Sequence, residues 1–163
     1  MRHTYWGNVV KAEWSGFIAG ITFSHPFFEN QQLEIFLGPE FDEDGEEIEE
    51  PPTAEQLDAF AATYRQFIDN IEANLKSIQE KAYERYLAFY AHYYENPGKS
   101  GEPALGIDSV EKHNNQIRRL VSLRLLDGDA LTLAIRYKLD TEHGLEFRFE
   151  NGKIVAVGGI SET

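Results

Sequence analysis

The 163-residue chain contains no cysteine. That excludes disulfides, thiolate metal sites and a cysteine nucleophile. Long apolar runs are missing too. No stretch approaches the roughly 20 apolar residues of a membrane span. The start, Met1-Arg2-His3-Thr4-Tyr5-Trp6, is not followed by the roughly 7–15-residue apolar core of a secretory signal. The expectation is a cytoplasmic protein that does not associate with membranes. Positive charge is scarce: 15 Lys and Arg stand against 28 Asp and Glu, a formal net charge of −13. Such a surface repels phosphate backbones, which argues against nucleic acid as a partner. It attracts basic proteins instead and speeds their arrival, in a salt-dependent way.

Complete catalytic motifs are also lacking. No serine sits in a Gly-x-Ser-x-Gly elbow, and no His-Glu-x-x-His occurs. His3, His25, His92, His113 and His143 show no paired metal-ligand spacing. Gly98-Lys99-Ser100 resembles the end of a phosphate-binding loop. The glycine required five residues earlier is replaced by Tyr93, however, and a helix rather than a strand precedes it. The segment Glu40-Phe41-Asp42-Glu43-Asp44-Gly45 opens like a calcium loop, but its closing glutamate would fall at Pro51. The chain is therefore expected to be no enzyme and to hold no cofactor or metal. One catalytic alternative is a hydrolase using His143 and Glu142 with a metal held by acidic residues, which requires a concave pocket around His143.

What is present reads as one α+β domain spanning 1–163, of a length that buries roughly two-thirds of its unfolded surface. Trp14 to Phe23 mixes aromatic and β-branched residues with glycine, as in a hairpin or bulged pair. Leu33 to Leu37 is a short strand ended by Gly38-Pro39. Thr53-Ala54-Glu55-Gln56 is a capping box. From there apolar residues recur at helical spacing from Leu57 to Tyr93. An unbroken rod of this length, about 60 Å, outruns a compact domain of this size. Either one kinked helix or two helices follow, with Asp69-Asn70-Ile71-Glu72 as the place for a break. Asn96 to Pro103 forms a connection, and Ile107 to His113 a short helix. The end is a β-meander: Leu120–Leu126, a turn at Asp127-Gly128, Leu131–Leu139, Leu145–Phe149, a turn at Asn151-Gly152, and Ile154–Val157. The expected architecture is an antiparallel sheet of N-terminal strands and C-terminal meander, with the helical segment between them.

Two surfaces stand out as contacts for a partner. Between Gly38-Pro39 and Pro51-Pro52 lies a run of eight carboxylates: Glu40, Asp42, Glu43, Asp44, Glu46, Glu47, Glu49 and Glu50. It reads either as a solvated loop or as an acidic patch for a basic protein, with no basic counterpart near it in the chain. At the end of the helical segment Tyr83, Tyr86, Tyr90, Tyr93 and Tyr94 crowd together, and the first four share a stripe. They form either a core face with hydroxyls at the rim, or a contact surface in which Tyr90, Tyr93 and Tyr94 take part.

The C-terminus carries a resemblance. Asp140-Thr141-Glu142-His143-Gly144-Leu145, a strand, Asn151-Gly152, and Val155-Ala156-Val157-Gly158-Gly159 resemble the ending of a bacterial family of uncharacterised domains. Pro52-Thr53-Ala54-Glu55-Gln56 after an acidic stretch, tyrosines closing the helices, and Trp14-Ser15-Gly16 are similar to that family as well. Leu139 departs from the tryptophan common before the turn. The family has no assigned activity, and its relatives resemble immunity-type proteins that neutralise toxins exchanged between bacteria. The resemblance implies a cytoplasmic immunity-type binding protein, and the negative charge adds the expectation that the toxin domain it sequesters is basic and nuclease-like. The alternative is a structural or regulatory domain whose acidity serves solubility alone.

Overall fold

Alternation of apolar and polar side chains builds the sheet. In Leu145–Glu150 the residues Leu145, Phe147 and Phe149 are buried, while Glu146, Arg148 and Glu150 are half-exposed, as the pleat dictates. The structure is a computed structural model that describes residues 1–14, 16–29 and 31–163. Its strands are β1 (Arg2–His3), β2 (Gly7–Asn8), β3 (Val10–Lys11), β4 (Phe17–Phe23), β5 (Leu33–Leu37), β6 (Arg119–Leu126), β7 (Ala130–Arg136), β8 (Leu145–Glu150) and β9 (Lys153–Gly158). Helices α1 (Ala54–Asp69), α2 (Ile71–Phe89), α3 (Ala91–Tyr94), α4 (Pro97–Ser100) and α5 (Val110–His113) lie between β5 and β6, and a 3-10 turn at Asn114–Gln116 follows them.

The fold is α+β, with β1–β2 as a small separate pair. Strands β3 to β9 form one seven-stranded sheet in chain order. Every junction is antiparallel except β5 with β6, where Ile35 pairs with Leu123 in parallel. A parallel neighbour cannot be reached by a tight turn. The whole helical block is the crossover between these two strands, so it must pack on a face of the sheet. There α1 meets β6 and β7, and α2 meets β9 and α5. The core between them contains Leu37, Leu123, Leu133, Ile135 and Phe147 from the sheet and Leu57, Phe60, Phe67, Leu75 and Ile78 from the helices. Phe67 meets Phe149 edge-to-face with centroids 5.4 Å apart.

The long helical pattern divides into two helices of 16 and 19 residues at Asn70. Asn70 does not cap the second one with its side chain. Its side-chain amide instead donates to the Gln66 carbonyl at 2.9 Å, closing the end of the first. The capping box forms as its spacing predicts. Thr53 Oγ1 accepts from the Gln56 amide at 3.1 Å, and the Gln56 side chain accepts from the Thr53 amide at 2.9 Å. Thr53→Ala is expected to cost about 1 kcal/mol in urea unfolding, and Thr53→Ser to restore most of it. An alanine variant as stable as the parent would mean that packing alone starts α1.

Two turns differ in size. Asn151-Gly152 is the two-residue turn expected, joining the paired Glu150 and Lys153. Asp127-Gly128 is lengthened by Asp129, because Leu126 pairs with Ala130 and leaves three residues in the loop. At the N-terminus β4 is a bulged partner of β5, its register shifting between Ile18 and Thr22. Ser15, within the Trp14-Ser15-Gly16 motif, lies outside the described residues. Trp14 itself is exposed, whereas Trp6 is fully buried and donates its indole N–H to the Leu57 carbonyl at 3.0 Å.

Candidate functional site

The acidic run is a loop with its own internal geometry. Gly38 leaves β5 with its amide on the Leu125 carbonyl at 2.8 Å, while its carbonyl accepts from Arg124 at 2.6 Å. Phe41 and Glu47 then pair across an isolated antiparallel bridge. Asp42 folds the tip: its carboxylate accepts from the amides of Asp44 and Glu46, both at 2.9 Å. Such Asx bonds hold a turn without help from a neighbouring element. Ile48 packs against the core at the foot of the loop. All the carboxylates except the half-buried Glu40 are exposed.

One expectation is corrected here, because the patch does have a basic counterpart. Lys11, on β3, bonds Glu49 and lies 3.5 Å from Glu47. Its hydrogen bond to Glu49 holds the ammonium pKa above the ordinary lysine value. Asp42, Glu43, Asp44, Glu46 and Glu50 form no ion pair among the described residues. No group of three His, Asp or Glu among these residues is placed to hold a metal ion.

At the C-terminal end of α2 the tyrosines are largely spent on the fold. Tyr86 is fully buried and donates to Glu95, which also accepts from the amides of Gly106 at 2.7 Å and Ile107 at 3.2 Å. Tyr90 donates to Asp140 at 2.8 Å, and Tyr94 to the Leu139 carbonyl at 2.8 Å. Burial, then the bond to Asp140, pushes the Tyr90 phenol up to about 12. Tyr93 alone of the three candidate contacts is exposed, with Phe89 exposed one helical turn before it. The acidic loop adjoins the N-terminus of α1, and the tyrosines close α2, so the two candidate surfaces sit at opposite ends of the helical segment in chain order.

The Glu-His-Gly turn has a structural role. His143 is paired with Asp140, at 2.9 and 3.0 Å from its two carboxylate oxygens, and not with Glu142. The hydrogen bond to Asp140 raises the His143 pKa. The His143 side chain is 58% exposed. Gly144 follows with φ +65°, where a Cβ would stand 2.6 Å from Ile160. The His143 carbonyl takes the Ile160 amide at 2.8 Å. This turn therefore binds together the end of α2, through Tyr90, and the C-terminal residues, through Ile160.

A family model described as Domain of unknown function (DUF6985) matches residues 5–162. The chain belongs to that family. The uncharacterised family suggested by the C-terminal motifs is thus borne out at that level, over nearly the whole chain. No curated protein and no solved structure matches this DUF6985 chain. No helix among the described residues is long and apolar enough to cross a membrane.

Two features of the domain escape a linear reading. His113 is completely buried among Tyr83, Tyr86 and Tyr137, with its Nε2 2.7 Å from the Tyr137 hydroxyl. A cleft of about 340 Å³ also opens at the root of the acidic loop, with Phe17, Leu37, Ile48 and Phe60 in its wall. The prolines flanking the loop hint at the second. Nothing in the sequence around His113 points to the first.

Proposed function

We propose that this domain is an acidic binding protein, an immunity protein of bacterial cytoplasm that neutralises a basic, nuclease-like toxin by direct contact. The observation that carries the reading is the preformed acidic loop. The loop that carries the eight carboxylates is shaped at the tip by Asp42, anchored at the foot by Ile48 and tied to β3 by Lys11. A surface ordered before binding loses less conformational entropy when a partner arrives. A nucleic-acid-cleaving protein needs a cationic cleft, and a dense array of carboxylates complements one. Tyr93, with Phe89, supplies a second contact of the amphipathic kind enriched in interfaces.

The test is binding to the toxin domain encoded beside the gene, read as association rate at low and at raised salt. Neutralising Glu43, Asp44, Glu46 and Glu50 to their amides is expected to slow association by about tenfold to a hundredfold at low salt. The difference should shrink as salt rises. Absence of a toxin gene beside it, or no binding at low salt, would sink the proposal. A variant that associates at the parental rate would move the contact away from the loop.

A further inference from the structure

The cleft at the root of the loop lies between the chain leaving β5, the segment from Ile48 to Thr53 and the first turns of α1. Its lining is largely apolar: Phe17, Leu37 and Phe60 are buried core residues at its floor, and the half-buried Ile48 and Pro52 and the exposed Pro39 and Pro51 stand nearer the solvent. Those three prolines have no backbone N–H, so this wall is poor in donors. The donors at the start of α1 are engaged by the reciprocal bonds of Thr53 and Gln56. Acceptors are in surplus, since Glu50 and Asp127 also border the cleft and both are exposed. Asp127 has one long contact, 3.5 Å from the Gln56 amide nitrogen.

This chemistry selects its occupant. An anion would face two exposed carboxylates, with only the Thr53 hydroxyl and the Gln56 side-chain amide as neutral donors against them. A wholly apolar side chain would strip water from Glu50 and Asp127 and give nothing in return. A long cationic side chain satisfies both parts, its methylene stem against rings and Ile48 and its charged head at the carboxylates. Arginine adds a planar face suited to aromatic contact and a fork suited to carboxylates. We propose that the cleft seats one lysine or arginine of the basic protein partner. This rests on the reading of the acidic loop as that partner's docking surface, and it gives the surface an anchor. The loop attracts the partner at long range; the cleft fixes its register by a stem of the right length.

The experiment is a titration of the full chain, followed by backbone amide NMR at low salt and mildly acidic pH. One probe is a short peptide alternating glycine with lysine. The other replaces each lysine by 2,4-diaminobutyrate, which keeps the charge on a stem two methylenes shorter. The lysine peptide is expected to shift the amides of Gly38, Ile48, Gln56 and Asp127 saturably, and to bind about tenfold more tightly than its short-stem analogue. E50Q/D127N should lower the affinity of the lysine peptide by about tenfold. Ile48→Trp, which fills the cleft, should abolish the preference for the longer stem. E43Q/D44N/E46Q at the loop tip should weaken both peptides and leave their ratio unchanged. Equal affinities, or shifts confined to the loop tip, overturn the cleft as an anchor while leaving the acidic surface standing. No binding of either peptide overturns both. Should Ile48→Trp not fold, the stem-length ratio in the native chain and in E50Q/D127N decides the matter.

Discussion

Gly20→Ala should lower the stability of the domain by about 3 kcal/mol, seen as a fall in the urea midpoint. Gly20 lies on β4 where the segment Trp6–Asn8 crosses it, and its amide donates to the Trp6 carbonyl at 2.7 Å. A Cβ there would stand 2.8 Å from the Asn8 nitrogen, 3.0 Å from the Trp6 oxygen and 3.1 Å from the Asn8 oxygen. All three are backbone atoms, so no rotamer change relieves the contact. The chain must move as a unit, and it carries Trp6, whose buried ring lies against Tyr64 with centroids 5.4 Å apart. The fluorescence of Trp6 should therefore shift to the red in the variant, while that of the exposed Trp14 stays unchanged. Gly98→Ala is the control, because a Cβ at Gly98 meets only the Asn96 side chain, at 3.2 Å. If Gly20→Ala unfolds within about 0.5 kcal/mol of the parent, the crossing is looser than the structure gives it.

Much of this architecture is legible in the sequence because it rests on local rules. Thr53 and Gln56 are three residues apart and can only cap the turn they begin. The alternation through Leu145–Glu150 decides which face is buried, and Asn151-Gly152 fixes the turn after it. The helix break at Asn70 follows from a length that the domain cannot span. These features need no knowledge of what lies across the core. The parallel junction of β5 with β6 is different. Its strands are separated by the whole helical block, and either orientation of β6 would bury the same leucines.

Long-range placement explains what the sequence conceals. Lys11 reaches Glu49 across 38 positions of chain, so inspection of the acidic run alone finds no counter-charge. Trp6 and Trp14 have similarly mixed neighbours, yet only the first meets Leu57 and Tyr64. At the candidate site the eight carboxylates are obvious in the sequence, but their conformation is not. Asp42 turns from one charge among eight into the residue that shapes the tip. The tyrosine stripe shows the reverse. Its spacing is visible, but the acceptors that consume Tyr90 and Tyr94 come from the turn at 139–140, and of the three only Tyr93 is left exposed.

His113 is the least legible residue, and it has the clearest consequence for pH. Glu111, Lys112, Asn114 and Asn115 surround it in the chain, as at a solvated turn, yet the folded protein buries it completely. Burial lowers its pKa from 6.5 to about 4. Well above pH 6.5 the imidazole is neutral in both folded and unfolded chains, and the lowered pKa has no effect there. As pH falls below 6.5 the unfolded chain takes up a proton that the folded one refuses, so stability drops until about pH 4. The folded and unfolded affinities for that proton differ by a free energy of about 3 kcal/mol, which is the total loss across the window. Burial raises the Tyr86 and Tyr137 phenols still further from this window. His143 acts in the opposite sense. Asp140 raises its pKa, so its contribution is complete below the ordinary histidine value and is lost as pH rises through the folded one. Comparing the parent with His113→Phe cancels that background. The parent is expected to lose stability between pH 6.5 and pH 4 more steeply than the variant, by about 3 kcal/mol over the interval. At neutral pH the variant should be the less stable of the two, since the Tyr137 hydroxyl loses its partner. Urea unfolding across this range measures both, and parallel pH profiles would place the protonation of His113 elsewhere than in the buried ring of tyrosines.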